Sequence, residues 1–110
     1  MRPWGQFTVL HEESAGASAA GFKVKEVVVD GHGQMTFQYH PGRDETWVIV
    51  EGEALVQHDG DELCLTAGQS ITVPRGTRHR LSNPSSRRLK LIEIGYGEAL
   101  GDEDTVRLNH

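Results

Sequence analysis

The sequence predicts an all-β domain, either a sandwich or a barrel. Three observations carry that expectation. Short β-branched and aromatic runs recur at close spacing, thirteen glycines punctuate 110 residues, and no stretch sustains a helical period. The whole chain, residues 1–110, reads as one domain, with no interdomain linker or internal repeat.

Taken in order, the predicted strands are "FKVKEVVVD" (22–30), "QMTFQYH" (34–40), "TWVIVEG" (46–52) and "EALVQHDG" (53–60). They continue with "DELCLTA" (61–67), "QSITVP" (69–74), "TRHRLSN" (77–83) and "RRLKLIEIG" (87–95). Turn chemistry separates them. Asp59-Gly60 is a hairpin signal, because tight hairpin turns need the positive φ that glycine accepts. Pro74-Arg75-Gly76 and Asn83-Pro84-Ser85 also read as turns. "HEESAGASAAG" (11–21) is small and polar and reads as a loop, and the acidic tail from Gly97 to His110 reads as peripheral.

Charge narrows the function classes. Sixteen acidic and eleven basic residues leave a formal net charge of −5, which argues against a nucleic-acid binder. No apolar run is long enough for a membrane span, and "MRPWGQFTVL" lacks the core of a signal peptide. The lone Cys64 excludes an intrachain disulfide and is expected to be a small buried residue; the expected setting is the cytoplasm.

Chemistry concentrates in "QYHPGRDETWVIVEG" (38–52). Strand side chains alternate between faces, so Gln38 and His40 share one face with Thr36 behind them. Glu45 is in phase with Trp47 and Ile49, and an interior position for these two brings Glu45 inside as well. Three polar groups inside a β structure are costly unless something satisfies them. Either they are hydrogen-bonded residues at a strand end, or they hold a divalent cation, for which imidazole, carboxylate and amide oxygen are all competent ligands.

A second stretch bears on that choice. "GQSITVPRGTRHRLSN" (68–83) reads G-x5-P-x-G-x2-H-x3-N, with Gly68, Pro74, Gly76, His79 and Asn83 at the marked positions. With it the chain resembles the cupins, double-stranded β-helix (jelly-roll) barrels whose second motif has this spacing and a metal-binding histidine. Their first motif is matched by Gln38-x-His40-x4-Glu45-x6-Gly52, with glutamine in the first histidine's place. "RPWGQF" (2–7), "KVKEVVVDG" (23–31), "PRGTRHRLSNP" (74–84) and "LKLIEIGYGEALGDEDTVRL" (89–108) fall in the order seen in one branch of that superfamily. Over nearly its whole length the chain looks like the C-terminal cupin domain of type II phosphomannose isomerases. Such domains are often fused to a guanylyltransferase, for which 110 residues leave no room.

The resemblance implies a metal site of Gln38, His40, Glu45 and His79. It implies an aldose phosphate–ketose phosphate isomerisation through an enediol, with a divalent metal as the cofactor. Two nitrogen and two oxygen ligands suit Zn2+, while Ni2+, Co2+, Mn2+ or Fe2+ are also chemically compatible. Arg43 and Lys25 match the family's arginine beside the ligands and the lysine of its "KVK" strand; either would hold phosphate or stabilise the enediolate. The family usually shows histidines where this chain has Gly42 and Thr46.

Other residues are expected to stay outside the chemistry. Arg78 and Arg80 flank His79 and leave its face by alternation; His11, His32, His58 and His110 read as surface residues; Tyr39 faces away from the ligands. Two further functions fit a cupin: a dioxygenase, against which Gln38 counts because such sites usually keep three histidines, and a non-catalytic metallocupin that binds a sugar or metabolite. A small-molecule sugar phosphate is the expected partner, and a homodimer the expected assembly, since exposed sheet edges invite pairing.

Overall fold

The computed structural model describes residues 2–16 and 20–108. It is all-β, with two antiparallel five-stranded sheets and one short 3-10 turn at Asp102–Asp104 among the described residues. The first sheet has the order β1-β2-β9-β4-β7: β1 Gly5–Glu13, β2 Gly21–Val29, β9 Leu89–Gly97, β4 Arg43–Glu51 and β7 Ser70–Val73. The second has the order β10-β3-β8-β5-β6: β10 Val106–Arg107, β3 Gln38–Tyr39, β8 His79–Ser82, β5 Glu53–His58 and β6 Asp61–Thr66.

One apolar core lies between the sheets. Val27, Val29, Trp47, Ile49, Val73, Leu89 and Leu91 come from the first sheet; Ala54, Val56, Leu65 and Leu81 come from the second. Period-two alternation supplies these residues from each strand, as a sheet with one buried face requires. The β5–β6 hairpin turns on Asp59 (φ 48°) and Gly60 (φ 85°), so the Asp-Gly signal forms a two-residue turn with both central residues left-handed.

The structure corrects four expectations. Residues 5–13, whose last part reads as loop, form the edge strand β1 along β2. Apart from Gly5 this strand is exposed or half-buried, so alternation barely registers in its sequence. The predicted strand over 34–40 shortens to Gln38–Tyr39 plus an isolated bridge from Gln34 to Ser82, and Gln34, Met35, Thr36, Gln38 and His40 of this segment line a cavity. Cys64 is exposed. It pairs with Leu55 on β5, while its neighbours Leu63 and Leu65 pair with the inward-facing Val56 and Ala54. The fourth correction concerns the acidic tail, which is not peripheral. Leu100 is buried, Val106–Arg107 adds a strand to the second sheet, and the segment between them fastens to β4.

Candidate metal centre and its cavity

Three strands from facing sheets bring the polar residues together. On β4, Arg43, Glu45, Trp47 and Ile49 are all buried in one inward row. On β3 and β8, Gln38 stands directly opposite His79 in the register. His40 follows β3 on Gln38's face. One ligand-capable atom from each of His40, Glu45 and His79 lies within 4.8 Å of the others, and the three residues are 2–4% exposed. Gln38 and Thr36 line the same cavity.

The histidines are oriented from behind. His79 Nδ1 donates to the Thr77 carbonyl at 2.9 Å, which leaves Nε2 aimed at the cluster as a bare acceptor. That Nε2 is buried and has no hydrogen-bond partner among the described residues. An orphaned buried imidazole nitrogen is costly, and it is what a metal ligand looks like without its ion. His40 Nδ1 lies 3.2 Å from Thr105 Oγ1, and its Nε2 is 3.5 Å from Glu45 Oε2. Together these residues make a site able to hold a metal ion.

Glu45 is the electrostatic hub. Its Oε2 accepts from Arg43 Nε at 2.9 Å and its Oε1 from Trp47 Nε1 at 3.2 Å. Burial pushes its carboxyl up, but His40, a hydrogen bond from Glu93 and Arg43 outweigh burial and hold it well below the usual carboxylate range. Burial pushes His40 down to about 4, against the pull of Glu45, and lowers His79 as well. Both imidazoles are therefore neutral at pH 7, the form that binds metal.

Glu93 was not anticipated from the sequence. It sits on β9 between Lys25 of β2 and Trp47 of β4, and it lines the cavity. Burial, then the charge of Glu45, raises its carboxyl to about 8. The signal was in the alternation: Leu89 and Leu91 are buried, so Glu93 two residues on points the same way.

The cavity holds about 300 Å³, at the lower end of small-ligand pockets. Lys25 and Arg43 both line it. Arg43 is committed to Glu45 and to the Gly101 carbonyl, 2.9 Å from Nη1. The Lys25 ammonium lies 4.5 Å over the Phe7 ring. Arg78 is exposed, and Arg80 covers Phe37 and donates to Gln57, away from the cluster. His11 and His32 are exposed, His58 is half-buried outside the cluster, and His110 lies outside the described residues.

The two departures noted in the sequence have separate structural settings. At Gly42 a Cβ would stand 2.7 Å from Ala99 Cβ and 3.1 Å from an Asp104 carboxylate oxygen, while Gly42 N donates to that carboxylate. The C-terminal segment occupies the space a side chain would need. Thr46 pairs with Thr72 through their hydroxyls on the outer face of β4, away from the cavity.

A model of the "Mannose-6-phosphate isomerase C-terminal" family matches residues 1–110. The chain belongs to that family. It is 37% identical over 106 residues to the xanthan biosynthesis protein XanB of Xanthomonas campestris pv. campestris, covering 96% of this chain and 21% of that protein. It is 34% identical over 108 residues to a mannose-1-phosphate guanylyltransferase of Salmonella muenchen, covering 98% of this chain and 22% of that one. The chain thus spans about a fifth of the length of these curated relatives. Among solved structures, a Cupin 2 conserved barrel domain protein from Salinispora arenicola superposes with a TM-score of 0.68 at 20% identity, covering 83% of this chain and 74% of that one. That likeness identifies the fold as a cupin barrel. No helix among the described residues is long and apolar enough to cross a membrane.

Proposed function

We propose that this cupin domain is a metal-dependent sugar-phosphate isomerase, interconverting mannose 6-phosphate and fructose 6-phosphate. The observation that carries the reading is the shared cavity. His40 and Glu45 of the His40–Glu45–His79 cluster, a non-ligand carboxyl (Glu93) and cationic side chains line one space of about 300 Å³, and behind it the cluster holds the orphaned His79 Nε2. Gln38, His40, Glu45 and His79 would hold the ion, with Zn2+ the best match to two imidazoles and two oxygens. A bound divalent ion supplies Lewis-acid stabilisation of the negative charge that develops on the sugar oxygens.

The rest falls to the chain. The C2 proton of the aldose leaves to a base and a proton returns to C1, while the hydroxyl proton on O2 is lost and O1 gains one. The formula is unchanged and no oxidant is needed. Glu93 is the carboxyl in the cavity that stands outside the ligand set, and we assign the carbon-to-carbon transfer to its ionised form, whose share grows as pH rises towards its raised pKa of about 8. Arg43 positions Glu45, and the buried Trp47 walls the cavity against water. We also propose a homodimer joined through the outer face of the first sheet, where Ile94 and Tyr96 are exposed, and action in the cytoplasm, in keeping with a lone unpaired Cys64.

The deciding experiment measures mannose 6-phosphate turnover with metal-loaded protein, after chelation, and after zinc is restored. Activity that disappears and returns with the metal supports the proposal. Tight binding without turnover at full loading would leave a sugar-phosphate-binding cupin instead. The same preparation tests the ligand set, since His79→Ala is expected to lose the metal.

A further inference from the structure

We propose that Arg107, together with Lys25 from the facing sheet, forms the seat for the substrate's phosphate group. The C-terminal strand would then select phosphorylated over plain sugars. This rests on the sugar-phosphate reading above and names the residues behind its specificity.

The placement of Arg107 follows from the β3–β10 register. Arg107 is the direct partner of Gln38. Opposite residues of an antiparallel pair project to the same side, with Cβ atoms about 5 Å apart. Gln38 lines the cavity, and so does Arg107, next to the cluster but at the exposed rim. A hexose 6-phosphate carries its anion at the far end from the carbons that react. Its phosphate seat must therefore stand beside the metal ligands, not among them.

Charge accounting singles out the same residues. The cavity is lined by four cations, Arg2, Lys25, Arg43 and Arg107, and by two carboxyl groups, Glu45 and Glu93. Arg43 already answers Glu45 and the Gly101 carbonyl. Arg107 has no ion pair or hydrogen bond from its side chain to the described residues. Its planar fork matches two phosphate oxygens at once. Lys25 is the partner of Glu93 in the β2–β9 register and adds a half-buried point charge to the cavity lining. A chain of net charge −5 has thus gathered cations at one opening, which favours an anionic ligand there.

The strand that delivers Arg107 also touches the metal centre. Thr105, two residues earlier, meets His40 Nδ1, and Leu108 N donates to the Phe37 carbonyl at 2.9 Å. One short segment thereby orients a metal ligand and presents the phosphate-binding arginine.

The test titrates metal-loaded full-length protein with mannose 6-phosphate, mannose and inorganic phosphate by calorimetry, comparing wild type with Arg107→Gln, Arg107→Lys and Lys25→Met. The wild type is expected to prefer mannose 6-phosphate to mannose by at least ~10-fold, the scale of one charge-assisted contact. Arg107→Gln should remove most of that preference while mannose affinity and metal content hold; Arg107→Lys should keep part of it. An unchanged preference in Arg107→Gln overturns the seat even where turnover is normal. A preference that depends on Arg107 in a protein that never turns over supports the seat and overturns only the isomerase reading. Equal wild-type affinity for the two sugars overturns the seat outright.

Discussion

Arg43 Nε donates to Glu45 Oε2 at 2.9 Å, two residues away on the same strand, and both side chains are almost wholly buried. Adjacent inward positions of one strand thus carry a charge and its counter-charge. Removing one member of a buried pair strands the other, at about 3–5 kcal/mol. Arg43→Met is expected to lower the urea-unfolding free energy of the metal-free protein on that scale. It should also weaken metal binding by roughly 10–100-fold, because Glu45 loses the group that orients it. Arg43→Lys should recover little, since an ammonium lacks the guanidinium fork. Wild-type stability and metal affinity in Arg43→Met would show that the pair does not organise the site.

The buried histidines make the metal-free protein sensitive to acid. His40 is depressed from 6.5 to about 4, with burial as the main cause. The unfolded chain takes up this proton near pH 6.5 and the folded chain only near pH 4, so stability is lost as pH falls through that window. The loss from His40 alone is on the order of 3 kcal/mol. Thermal melts of chelated protein from pH 7 to pH 4 should show a steep fall in Tm, shallower in His40→Gln. A flat profile in the wild type would contradict a neutral buried His40.

Glu93 carries the proton transfer in the proposed reaction. Glu93→Gln keeps a hydrogen-bonding group beside Glu45 and should leave metal content unchanged. Turnover is expected to fall by roughly 10²–10⁴-fold, the usual contribution of a positioned acid–base group. Loss of solvent-deuterium exchange into the substrate would trace the defect to the C–H step. Near-normal exchange in this variant would remove Glu93 from the reaction.

Gly42 lies beneath the C-terminal segment. Gly42→His installs the residue type that the resemblance implies at this position but places a Cβ 2.7 Å from Ala99 Cβ. Backbone must move to admit it, at about 1–3 kcal/mol. The variant is expected to melt lower and to be cut faster by protease within residues 98–108. Unchanged melting would mean that this segment yields freely.

Several features were legible because they depend on local order. Alternation brought Glu45 inside with Trp47 and Ile49, and the Asp59-Gly60 turn was written in two residues. Edge strand β1 was not legible, since a strand with little burial leaves a faint pattern. Glu93 escaped notice inside an apolar run, although its phase with Leu89 and Leu91 already pointed it inward.

By itself, the sequence determined the all-β class, because strand periodicity is a property of neighbours in the chain, and its resemblance to cupins pointed to Gln38, His40, Glu45 and His79, of which the structure draws His40, Glu45 and His79 into one cluster. Only the tertiary structure decided what surrounds them. It set Arg43 against Glu45 and the Gly101 carbonyl, left His79 Nε2 without a partner, and folded a polar tail back so that Thr105 meets His40 and Arg107 stands beside Gln38. Gln38 and Arg107 stand 69 positions apart in the chain, and the pairing of β3 with β10 brings them together.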